Sequence, residues 1–222
     1  MRKMSWTVVG ITIFTFLLGS SGVQAATTVE PYADGRDGYL TMPLFSVGET
    51  VPRLGDPTES YRMVGLPDGL GATATSAGLE LYMNHEFESD VLSRPVVGGA
   101  QVRGAFVSRW VMNASGDPVG GDLAFRSVFQ DNRYLGPIAT ASNTSPAFGR
   151  FCSANMAGEG HGFDREIFFT NEEAGGADSF DGRGGQTVAI FDGQAHALSR
   201  LGHFTKENDV VRPNDGRRTI IM

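Results

Sequence analysis

The sequence predicts an all-β protein, and three observations carry that expectation. Short runs rich in β-branched and aromatic residues recur along the chain, and turn-forming residues bound them. Beyond the first 25 residues, no window combines a helical apolar stripe with capping residues. In order, the expected strands are 79–84 (LELYMN), 105–112 (AFVSRWVM), 125–130, 166–170 (EIFFT), 187–192 (TVAIFD) and 219–222 (TIIM). Pro67-Asp68-Gly69, Ser115-Gly116-Asp117, Asp181-Gly182 and Asp192-Gly193 read as turns. The segment 187–192 runs into its turn and on to a further apolar run at 197–204, giving strand, turn, strand. The final run, 219–222, has a strand pattern with no turn, cap or polar tail, which would leave a bare sheet edge.

Composition narrows the function classes. With 41% hydrophobic and 10% aromatic residues among 222, the chain is no disordered acidic tail, and its 30 glycines are spread without a collagen period. A net charge of −7 argues against a nucleic-acid partner, whose phosphates need a basic face, and suits a cation-binding surface. The single cysteine, Cys152, has no partner for an intramolecular disulfide.

Residues 1–25 read as a secretory signal peptide. Arg2 and Lys3 open it, residues 6–18 are apolar, and Val23-Gln24-Ala25 places cleavage after Ala25. The apolar run is shorter than the ~20 residues of a membrane span, so no stable span is expected after cleavage. Arg2-Lys3 is not a twin arginine, which points to the general secretion route. The expected location is secreted, periplasmic or extracellular, where even a weak calcium site would be filled.

Two expected strands end alike. Leu81-Tyr82-Met83-Asn84-His85-Glu86 and Phe168-Phe169-Thr170-Asn171-Glu172-Glu173 both pass from apolar residues into Asn and then two metal-competent side chains, and their asparagines lie 87 residues apart. That spacing is about two propeller blades of ~40 to 50 residues, and repeated short strands of this kind favour a β-propeller over a sandwich. Residues 26–222 are accordingly expected to be the N-terminal part of a propeller truncated at its C-terminus, with about half of it in this chain.

Chemistry-bearing residues gather at the same strand ends. In Arg150-Phe151-Cys152-Ser153, the cysteine reads either as a small buried hydrophobe or as a thiolate ligand. His85 and Glu86 point to opposite faces if the strand continues, so the pair reads either as a solvated strand end or as the source of one ligand, Glu86 or His85. The adjacent carboxylates Glu172 and Glu173 need a cation or solvent to sit so close. Arg150, Arg165 and Arg183 flank these motifs; they read either as solvated surface arginines, which the spacing favours, or as groups that grip phosphate bidentately. The loop Gly158-Glu159-Gly160-His161-Gly162 reads as an exposed connection, and His196 and His203 as structural residues of a last strand pair. Nucleophile-elbow, P-loop and zinc-helix motifs are absent from the sequence.

Through LYMNHE, RFCSANM and FFTNEEAGG, the chain resembles the PhoX-type alkaline phosphatases and related exported proteins, from about Gly65 onward. The resemblance implies a six-bladed β-propeller whose central site holds iron and calcium and hydrolyses phosphate monoesters. In that family a cysteine thiolate ligates iron and glutamates bind the metals. Position by position, Cys152 matches the iron-ligating cysteine, Glu172 and Glu173 the glutamate pair, and Glu86 the glutamate of the NHE segment. The expected metal ligands are therefore Glu86, Cys152, Glu172 and Glu173, with no catalytic residue identified. The expected partners are small phosphate esters. A non-catalytic calcium-binding propeller at the cell surface is the alternative, and a carbohydrate-binding β-sandwich is a third reading.

Overall fold

The computed structural model describes residues 27, 29–213 and 219–222; the expected signal peptide lies outside the described residues. In chain order the strands are β1 (Thr50–Arg53), β2 (Asp56–Arg62), β3 (Pro67–Thr75), β4 (Gly78–His85), β5 (Leu92–Ser93), β6 (Val102–Arg103) and β7 (Phe106–Asn113). They continue as β8 (Pro118–Leu123), β9 (Ser127–Gln130), β10 (Arg133–Pro137), β11 (Phe151–Ala157), β12 (Ile167–Glu172), β13 (Thr187–Phe191) and β14 (Gln194–Ala197). The protein is all-β. Helical structure among the described residues is confined to three short 3-10 turns, and no helix is long and apolar enough to cross a membrane.

The strands form two six-stranded sheets, ordered β2-β1-β8-β7-β4-β3 and β10-β9-β14-β13-β12-β11, with β5-β6 as a small third sheet. None of the three closes on itself. The two large sheets have one connectivity used twice. A hairpin (β1-β2 or β9-β10) comes first, and a four-stranded antiparallel meander (β3-β4-β7-β8 or β11-β12-β13-β14) follows. The last meander strand then pairs in parallel with the first strand of the hairpin.

The strands that sequence reasoning missed have plain causes. β2 (DPTESYR) is polar, β8 (PVGGDL) carries proline and two glycines, and β11 (FCSANMA) is built from small and polar residues. Pairing with neighbours, not propensity, makes them strands. Three expectations are corrected. Pro67-Asp68-Gly69 is not a free turn but the start of β3. β14 ends at Ala197 and a 3-10 turn, Ser199–Leu201, follows, so His196 lies in a strand and His203 does not. Among the described residues, the run 219–222 forms one isolated bridge, Ile221 to Val211, and no strand.

Three apolar clusters hold the sheets. Between the two large sheets, Val107 of the first shares one cluster with Phe168, Val188 and Ile190 of the second. Tyr61, Met83, Trp110 and Met112 cover the outer face of the first sheet, and Ile167, Phe169, Ala189 and Val211 cover that of the second. Tyr82 of β4 stacks on Phe168 of β12 at 5.5 Å across the seam.

The two edge strands that meet at this seam, β3 and β11, carry the same irregularity. In β3, Pro67 pairs with His85 and Leu70 with Met83, so Asp68 and Gly69 together oppose Asn84. In β11, Phe151 pairs with Glu172 and Ala154 with Thr170, so Cys152 and Ser153 together oppose Asn171. Each is a β-bulge, a device that bends a strand and re-aims a side chain. The residue before each strand, Leu66 or Arg150, takes a left-handed backbone (φ 53° and 49°), and its carbonyl accepts the amide of Glu86 or Glu173.

The seam tolerates no side chain at Gly69. A Cβ there would lie 2.5 Å from the Cys152 carbonyl oxygen, 2.6 Å from the Ala154 nitrogen and 2.7 Å from Asn84 Nδ2. Two of these neighbours are backbone and cannot turn aside. Gly69→Ala is expected to cost about 1–3 kcal/mol, read from urea denaturation; an unchanged midpoint would contradict this tight seam.

Candidate metal centre

The two bulges aim their first residues at one point. Cys152, 7% exposed, lies with its Sγ 3.5 Å from Asp68 Oδ2 and 3.5 Å from Glu207 Oε1. Two overlapping sets of ligand atoms gather around this sulfur: Asp68, Glu86 and Cys152 form one, and Cys152, Glu173 and Glu207 the other. Within each set all atoms lie within 4.8 Å of one another, a spacing that ligands at ~2.3–2.6 Å from a single ion can meet.

Each repeat supplies the same two positions. The bulge residue is Asp68 in the first and Cys152 in the second, and the residue after the buried Asn and its follower is Glu86 or Glu173. Glu207 comes from the segment after β14. Buried Lys206 fixes that segment: its Nζ donates to the carbonyls of Leu201 and Gly202 at 3.1 and 3.0 Å, and the Ser153 hydroxyl donates to the Glu207 carbonyl.

Asn84 locks one bulge onto the next. Fully buried, it donates from Nδ2 to the Cys152 carbonyl and to Thr170 Oγ1 at 2.8 Å. Its counterpart Asn171 faces the other side of the second sheet. With its amide turned to satisfy both atoms, it accepts the Asp209 amide at 2.8 Å and donates to Asp209 Oδ2 at 2.8 Å. The segment near 209 thus meets the second sheet through the asparagine, as β11 meets the first.

Of the four expected ligands, three converge and one does not. Glu86, Cys152 and Glu173 gather at the centre. Glu172, one residue from Glu173 and on the opposite face of its strand, is fully buried elsewhere: its Oε1 accepts the amides of Gly149 (2.9 Å) and Phe180 (2.7 Å). It braces the turn that leads into Cys152. Burial pushes its pKa up to about 7, against the pull of those amides. His85 likewise stays in the core, stacked on Phe106 at 4.3 Å. Its Nδ1 faces the Gly65 carbonyl, its Nε2 meets Ser108 Oγ at 2.7 Å, and burial lowers its pKa to about 4, so the ring is neutral. The choice between His85 and Glu86 therefore falls on Glu86 by placement. Asp68 and Glu207 were missed by sequence reasoning, Asp68 because its motif was read as a turn.

The cysteine holds its proton in this arrangement. Burial and then the neighbouring Asp68 and Glu207 carboxylates push the thiol up to about 12. A cation replacing that proton would meet one sulfur and several carboxylate oxygens. Carboxylates suit calcium, and a thiolate suits transition metals, zinc as well as iron, so the donor set admits the metals that the resemblance implies.

Compared with known proteins, the chain matches no family model, no curated protein and no solved structure.

Glu172→Gln keeps an acceptor for the two amides and removes the charge. Because the folded chain holds a proton that unfolded Glu172 releases near 4.5, wild-type stability should fall as pH rises from about 4.5 towards about 7. Urea denaturation with chelator present should show the Gln variant more stable than wild type at pH 8 and level with it at pH 4. The same pH slope in both proteins would exclude Glu172 as its source.

Proposed function

We propose that this chain belongs to an exported β-propeller of the PhoX type, which hydrolyses small phosphate monoesters at a calcium- and iron-binding centre around Cys152. The observation that carries the reading is the convergence of Cys152, Glu86 and Glu173 from two repeats of one connectivity, at positions the resemblance marks as ligands. In this reading the hairpin-and-meander unit is the repeating element of the propeller. Leader cleavage after Ala25 delivers the protein to a compartment where calcium is plentiful.

In the proposed site, Cys152, Asp68, Glu86, Glu173 and Glu207 hold the cations. When bound, the cations would activate a water and neutralise the phosphoryl oxygens. In the reaction, water oxygen replaces the ester oxygen on phosphorus and the alcohol leaves with a proton. The chain's own part is to fix the ligands on two rigid sheet edges, braced by Asn84 and Glu172. The excess of oxygen over sulfur donors also suits calcium alone, which favours the non-catalytic calcium-binding propeller as the second reading.

Metal analysis and hydrolysis of a chromogenic phosphate ester test the proposal together. Iron with calcium and measurable turnover are expected in the wild type, with iron content and turnover both falling to background in Cys152→Ala. Calcium without iron or turnover would leave the second reading. Absence of any bound metal would overturn both.

A further inference from the structure

The two repeats place different residues at one backbone position. Leu66 and Arg150 both precede the bulged strand, both adopt the left-handed conformation, and both carbonyls accept the amide of the following glutamate, at 3.0 Å from Glu86 and 2.9 Å from Glu173. Leucine makes this turn in the first repeat with its side chain largely exposed. The turn therefore does not need arginine, and the guanidinium has another role.

That guanidinium lies among the candidate ligands. Arg150 Nε and Nη2 donate to Glu86 Oε1 at 3.2 and 3.1 Å, and Nη2 donates to Glu173 Oε2 at 2.6 Å. Glu88 lies 3.8 Å from Nε. One side chain thus spans a carboxylate from each ligand set, and the Arg150 amide donates to the Phe87 carbonyl at 2.8 Å, which holds it there. A cation in either set would compete with this guanidinium for that set's glutamate, Glu86 in one and Glu173 in the other.

We propose that Arg150 is an internal counter-cation: it holds Glu86 and Glu173 together while no metal is bound, yields them to a divalent cation, and then presents its freed guanidinium to a phosphate dianion. The inference rests on the metal-centre reading above and adds a role for a residue that binds no metal. Arginine suits it because its fork engages carboxylate and phosphate alike, whereas its charge can never be lost to titration. Its side chain is 39% exposed, which leaves it room to move towards a ligand arriving from solvent.

Arg150→Leu, which installs the residue that the first repeat carries at this turn, is the test, with retention of fold checked by circular dichroism. Calorimetric titration with Ca²⁺ should show roughly three- to tenfold tighter binding in the variant, the scale of one partly exposed ion-pair network. Titration of the Ca²⁺-loaded proteins with inorganic phosphate should show weaker binding in the variant. Arg150→Lys, which keeps the charge without the fork, should fall between the two, and it serves as the reporter if the leucine variant does not fold. Unchanged or weakened Ca²⁺ binding, or unchanged phosphate binding, overturns the inference alone. Failure of the wild type to bind any divalent cation overturns it together with the reading on which it rests.

Discussion

The β-bulge opposite a buried asparagine is the constraint on which the rest of the site depends. A regular strand would send Asp68 and Cys152 to alternate faces of their sheets in step with their neighbours. One extra residue in each edge strand breaks that step and aims both at the seam. Asn84 then ties the second bulge to the first sheet through the Cys152 carbonyl, so two local irregularities become one shared centre. Strand ends fixed by ladders on one side and by side-chain hydrogen bonds on the other are rigid enough to preset ligand positions.

Placing this much negative charge at one seam is unfavourable unless something offsets it. Four carboxylates surround a single thiol, and burial together with the nearest of them, Asp68 and Glu207, keeps that thiol protonated. Arg150 offsets two of the carboxylates, and the partly exposed edges of the cluster leave the rest to solvent or cations. The buried polar groups beneath, Glu172 and His85, are handled differently. His85 meets a backbone carbonyl and a hydroxyl, Glu172 accepts two backbone amides on Oε1 while its Oε2 is buried without a partner, and both pack as part of the core, so these sequence neighbours of the two candidate ligands serve structure instead.

The fold class was legible because strands such as 79–84, 105–112 and 187–192 combine high β propensity with unambiguous turns, and all three form as expected. Strands of polar or small residues, β2 and β11 above all, were not, since their state follows from partners far along the chain. At the site, the repeated Asn and the glutamate two residues beyond it were readable, and strand alternation correctly allowed only one of each adjacent pair to face one way. What alternation could not say was which one, because the phase is set by the bulge register. A signal for Asp68 was nonetheless present: Leu66-Pro67-Asp68-Gly69 and Arg150-Phe151-Cys152-Ser153 are 84 residues apart, close to the 87 between the asparagines. Glu207 had no such signal, as it reaches the centre only through the fold of the segment anchored by Lys206.

Diffraction from crystals of the metal-loaded protein, with anomalous data collected on either side of the iron edge, tests the convergent centre most directly. An iron peak within bonding distance of Cys152 Sγ, with a carboxylate oxygen of Glu86 or Glu173 among its ligands, is the expected result. Metal ions bound elsewhere on the chain, with the Cys152 thiol unligated and Arg150 still paired to both glutamates, would contradict it.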